Sequence, residues 1–129
     1  MYLRFVSPTR HPHCDAELGI YAAQKETDWT HQPDWLQREF DDAFQWFRYL
    51  SVPSVLKSRT RHKYAAQSLC WLKSDADWVL PEIRYAAWLL TEAGLPIREI
   101  KTRKPGAIIW EDEDQVVAIP GDTPIPKAF

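Results

Sequence analysis

The sequence predicts an α+β fold: one domain with a mainly antiparallel sheet and helices packed on one face, in the order β-α-α-β-α-β-β-β. Three observations carry this expectation. Residues 95–120 alternate short apolar runs with turn formers, so three short strands follow one another after Gly94. Stretches 34–50 and 75–93 repeat apolar residues at spacings of four and three, which is the helix period. The chain opens on Tyr2-Leu-Arg-Phe-Val6, where Leu3 and Phe5 share one face and Tyr2 and Val6 the other, as in a strand.

Taken in order, the prolines of segment 7–14 are expected to end this first strand. Asp15 can cap a short helix over 16–26 that places Leu18, Tyr21 and Ala22 on one side, with Gly19 weakening it. In the helix over 34–50, Leu36, Phe40, Ala43, Phe47 and Leu50 stack on one face. Pro33 suits its first turn, Asp34 with Gln37 can form a capping box, and Val52-Pro53 stops it. Residues 54–64 show no period. Ser68-Leu-Cys-Trp-Leu-Lys73 reads as a buried strand, whose alanine-rich lead-in suits a helix equally well.

The second long helix carries Val79, Ile83, Ala86 and Leu90 on one face. Pro81 belongs in its first turn, so regular helix starts near Leu80, and Gly94 is the left-handed residue that closes it. Pro105-Gly106 suits a type II turn, and Glu111-Asp112-Glu113-Asp114 makes the next bend. Pairing Trp110 with Gln115 sets Ile109 beside Val116 and Ile108 beside Val117, a hairpin apolar on both faces that should sit inside the sheet or be covered on both sides. The domain spans 1–119, and 120–129 is a proline-rich extended tail.

The set Thr102-Arg103-x-Pro105-Gly106, Glu111-Asp112-Glu113-x-Gln115-Val116-Val117-Ala118, with the central Cys70-Trp71-Leu72-Lys73, resembles the C-terminal part of small bacterial proteins to which no activity is attached. The resemblance covers less than a third of the chain. It implies a bacterial, cytoplasmic α+β protein and transfers no catalytic residue or cofactor.

At 129 residues the chain is large enough to bury a core without disulfides or a metal. No apolar run reaches the length of a membrane span. A formal net charge of -2 weighs against a generally basic nucleic-acid binder. Cys14 and Cys70 show no ligand spacing, which fits reduced thiols in a cytoplasm. Seven tryptophans either fill a thick core or line an interface.

Three clusters carry candidate chemistry. His11, His13, Cys14 and Asp15 offer two imidazoles, a thiol and a carboxylate within five residues, a possible metal site or nucleophile–base pair, although a polar loop explains them as well. Lys57, Arg59, Arg61, His62 and Lys63, with Arg103 and Lys104 later, form a basic patch for phosphate or single-stranded nucleic acid if folding joins them; an edge strand guarded by charge is the bland alternative. The acidic run 111–114 reads as a solvated turn rather than a cation site. No Gly-x-Ser-x-Gly, His-Glu-x-x-His or Cys-x-x-Cys is present, and no cofactor is implied. The expected function is a non-catalytic module that binds a protein partner or a second copy of itself. Nucleic-acid or nucleotide-phosphate binding is the alternative, followed by an enzyme or metal site on the His11–Asp15 cluster.

Overall fold

A computed structural model describes residues 1–121, so the expected tail lies outside the described residues beyond Gly121. Six strands form one antiparallel sheet: β1 (Tyr2–Arg10), β2 (Glu17–Gly19), β3 (Leu69–Lys73), β4 (Arg98–Thr102), β5 (Ala107–Glu111) and β6 (Gln115–Ile119). Three α-helices accompany it: α1 (Ile20–Ala23), α2 (Asp34–Phe44) and α3 (Leu80–Glu92). The α+β architecture expected from the sequence is therefore present, with β2 as an additional strand.

Helices α2 and α3 cover one face of the sheet. Leu36, Phe40 and Ala43 of α2 and Ile83, Ala86, Leu89 and Leu90 of α3 close over Leu3, Phe5 and Leu72. These are the helical positions whose spacing the sequence displays. Pro81 sits in the first turn of α3, where its missing N–H costs no intrahelical bond, and Gly94 ends the helix at φ +99°. Leu69, Trp71, Val116 and Ala118 form a smaller cluster, against which Tyr2, Cys14, Ala16 and Ile100 pack.

Four local expectations are corrected. β1 runs on through Pro8 to Arg10. Its ladder with β4 ends at Val6 and its pairing with β2 is irregular between Val6 and Arg10, so no regular partner needs the donor that Pro8 lacks. The helix expected over 16–26 yields its start to β2, because Gly19 and Glu17 pair with Val6 and Arg10. Pro33, not a capping box, occupies the N-cap of α2, with no side-chain cap bond, and the last residues of that expected helix, Gln45–Tyr49, tighten to 3₁₀. In the β5–β6 hairpin Trp110 faces Val117 and Glu111 faces Val116, because an irregularity between Ile108 and Trp110 shifts the register. The side chain of Asp112 shapes the bend by accepting the N–H groups of Asp114 and Gln115.

β4 pairs with β1 and not with β5. Yet only residues 103–106 join β4, at one edge of the β4-β1-β3-β6-β5 array, to β5 at the other. Five peptide steps reach roughly 17 Å, so the sheet must curl until its two edges approach. Gly106 is the tight point of this link. It has φ +111°, and a Cβ there would lie 2.0 Å from the Ile119 carbonyl oxygen.

Candidate anion-binding cavity in a forked sheet

The inner edge of β1 is shared by two strands. Leu3 pairs with Lys101 of β4 on one side and Leu72 of β3 on the other. Val6 pairs with Arg98 of β4 on the first side and Gly19 of β2 on the second. β2 and β3 thus lie along the same edge, and Arg4 and Phe5 fall between them. Beyond Leu72, residues Leu69, Cys70 and Trp71 continue to pair with β6 but no longer with β1. The sheet forks here.

A cavity of about 630 Å³ opens in the fork. Arg4, Phe5, Cys70 and Trp71 line it from the strands, and Phe44, Phe47, Leu50 and Leu56 from the α2–β3 connection and its approach. No Asp, Glu or Lys lines it among the described residues; its charged side chains are Arg4 and the exposed Arg48. Its volume and mostly apolar wall are those of a small-molecule site.

Arg4 is the unusual wall residue. It is only 6% exposed, and one guanidinium nitrogen donates to the Glu17 carbonyl at 3.0 Å. The guanidinium also lies over the Trp71 ring, 5.5 Å from its centroid. Gly19 leaves it room, since a Cβ there would sit 3.3 Å from the Arg4 side chain. Burial lowers the Arg4 pKa, with Cys14, Cys70 and Glu17 pulling the other way, yet an arginine keeps its charge at any physiological pH. Glu17 is the carboxylate whose charge reaches it, and that carboxylate is bonded to Arg98. Among the described residues, no carboxylate lies within ion-pair distance of Arg4. Buried charges are ordinarily paired, and no ion pair completes this one among the described residues.

Two titratable wall residues respond to this charge. Burial first, then Arg4 and His13, lower the pKa of His11, so its ring is neutral at neutral pH. Its Nδ1 accepts the His13 backbone N–H at 3.1 Å, which leaves the ring proton on Nε2. Cys70 keeps accessible surface, as a side chain in the wall of an open cavity does, but protein surrounds it on most sides. That burial pushes its thiol pKa up, against a smaller opposing pull from Arg4. A thiol held protonated is a poor nucleophile.

The residues singled out in the sequence are placed less compactly than their spacing suggests. His11 reaches the cavity wall; the His11 and His13 rings stand edge to face at 6.1 Å, and Asp15 pairs with Arg10. Among the described residues no group of three or more His, Cys, Asp or Glu side chains is placed to hold a metal ion. Lys57, Arg59, Arg61 and Lys63 are exposed around a turn, with the Lys63 ammonium 5.1 Å above the Tyr64 ring and His62 accepting the Tyr64 N–H. Arg103 and Lys104 are exposed in the link between β4 and β5, and no hydrogen bond or ion pair joins them to the 57–63 turn among the described residues. The acidic bend is engaged internally: Glu111 pairs with Lys73 at 2.5 Å and Asp114 accepts the Trp78 indole N–H at 2.9 Å.

Sequence reasoning missed Arg4 because it treats the residue as one more position in an alternating strand. A signal was present: Tyr2 and Val6, two residues away on either side, place a charge on an apolar face. Most of the tryptophans also answer differently from a core-filling role, since Trp35, Trp46, Trp78 and Trp88 are exposed and only Trp71 is buried. No helix among the described residues is long and apolar enough to cross a membrane. Compared with known protein families, curated proteins and solved structures, this chain matches none.

Proposed function

We propose that this protein binds a small anionic ligand in the fork cavity, with Arg4 as its charge partner. The observation that carries the reading is a buried guanidinium that meets one carbonyl, one aromatic face and two thiols but no ion-pair partner, in a wall without carboxylates among the described residues. The wall offers a fixed cation, a protonated thiol and apolar surface, which suits retention of a ligand rather than chemistry on it. The test is thermal unfolding of the wild type and Arg4→Met in the presence of benzoate, octanoate, phosphate and chloride. At least one of these anions is expected to raise the melting temperature of the wild type and to leave Arg4→Met unmoved. Equal shifts in both proteins, or none in either, would remove the proposal.

A second reading is self-association through the outer face of α3. Tyr85 and Trp88 stack there at 6.1 Å with rings 12° from parallel, and they are 40% and 51% exposed. The Tyr85 hydroxyl donates to Glu39 of α2, so the stack is held in place on a rigid helix pair. Ordered exposed aromatics are what interfaces use as anchors. Sedimentation velocity over a hundredfold concentration range tests it. Dimerisation that Trp88→Ser abolishes supports this reading, and a wild type that stays monomeric throughout excludes it.

A further inference from the structure

Resting on the anion reading above, we infer that the ligand is a monocarboxylate with an elongated apolar body, its head on Arg4 and its tail along Phe44, Phe47 and Leu50. Charge balance selects the head. The buried wall supplies a single positive charge, His11 being neutral there, and one guanidinium fork matches one carboxylate in a bidentate pair. A phosphate monoester near neutral pH carries close to two charges, and among the described residues the only other cation of the wall, Arg48, is exposed.

The body follows from what remains of the wall. Two of its buried polar side chains already have partners: the Ser68 hydroxyl donates to the Ala65 carbonyl at 2.6 Å, and the Gln115 amide to the Ser51 carbonyl, which leaves the Trp71 indole N–H as the buried donor without one among the described residues. A polyhydroxylated or amide-rich ligand would find few groups left to bond. An alkyl or aryl tail instead meets Phe44 and Phe47, whose centroids lie 4.7 Å apart, with Tyr21 packed on both rings at 5.8 and 5.7 Å. Tyr21 is 61% exposed, which places the aromatic wall at the surface and makes the cavity accessible from that side.

The experiment is a calorimetric titration of the intact chain with acetate, hexanoate, octanoate, decanoate, octanol and octyl phosphate, all below their aggregation limits. Affinity is expected to rise about fourfold per added methylene, the increment of burying one CH₂. Octanol should bind at least tenfold more weakly than octanoate, and Arg4→Met should bring the two together. Peptide mapping after iodoacetamide treatment gives a readout that needs no substitution: octanoate should slow alkylation of wild-type Cys70 at least fivefold. Arg4-dependent binding of acetate or phosphate without any chain-length dependence would overturn this inference and leave the anion reading standing. So would octyl phosphate binding more tightly than octanoate. Octanoate binding to Arg4→Met as tightly as to the wild type marks unspecific uptake and overturns it too. Absence of Arg4-dependent binding for every compound overturns the anion reading itself.

Discussion

Leu3 and Arg4 are neighbours on β1 and nearly equally hidden from solvent, at 2% and 6% exposure, but different surroundings hide them. Leu3 sits where β1 is paired on both edges, under α2 and α3, among side chains with nothing to hydrogen-bond. Arg4 sits one residue later, where the inner edge has lost β3 and not yet gained β2. The doubly paired part of the sheet is stabilised by transfer of apolar surface out of water, even where Leu3 and Leu72 reach the cavity wall. The forked part keeps a charge out of water with a carbonyl, an aromatic ring and no ion-pair partner among the described residues, which is a cost to folding.

Substitutions on either side of the fork separate these roles. The largest effect belongs to the doubly paired part: Leu72→Ala should cost about 3 kcal/mol in urea unfolding, since Leu72 is paired with Leu3 and packed in the main core. Arg4→Met, one position along the same ladder, should leave the ligand-free protein equally stable or stabilise it by about 1 kcal/mol, because an unpaired buried charge is replaced by an apolar chain of similar length. A loss of more than about 1 kcal/mol would instead make Arg4 a structural residue.

Acidification gives a smaller effect. The native pKa of His11 lies below its ordinary value of 6.5, so between the two values the unfolded chain binds more protons. His11 therefore contributes stability that is intact above about pH 6.5 and falls as the pH drops through the native pKa. Unfolding curves at pH 7.5, 6.5, 5.5 and 4.5 should show this decline, and His11→Gln should flatten its upper part. The smallest change is expected at Cys70, two residues from Leu72 on β3. Cys70→Ala removes a side chain that borders open cavity, and its cost should stay within about 0.5 kcal/mol. If Leu72→Ala and Cys70→Ala cost the same, the fork is closed in solution.

Elements whose cause is local were readable from the sequence. The α2 and α3 faces follow from Leu36, Phe40, Ala43 and Val79, Ile83, Ala86, and the end of α3 from Gly94, because period and glycine geometry act over a few residues. What was missed depends on partners far along the chain. Glu17–Gly19 becomes a strand only because β1 is beside it. The hairpin register follows an irregularity near Ile109 that no spacing announces. Of the residues named beforehand for chemistry, His11 borders the cavity, whereas Arg4, Cys70 and Trp71 become a site only when β3 and β1 diverge. The fork is a property of pairing, and pairing across more than sixty residues leaves no local mark.

The same long-range pairing sets a schedule for folding. β1 precedes the other five strands along the sequence, and its outer edge is completed by β4, with Tyr2 opposite Thr102 and Val6 opposite Arg98. Until residues 98–102 exist, β1 can satisfy only the edge it shares with β2 and β3. Contacts of such sequence separation close slowly, because the loop entropy must be spent before the pairing returns anything. The nascent chain thus carries an apolar strand with an open edge for most of its synthesis, the kind of segment that invites mispairing. A chain truncated before residue 98 would never cover that edge, so the last quarter of the sequence is what makes the first ten residues safe.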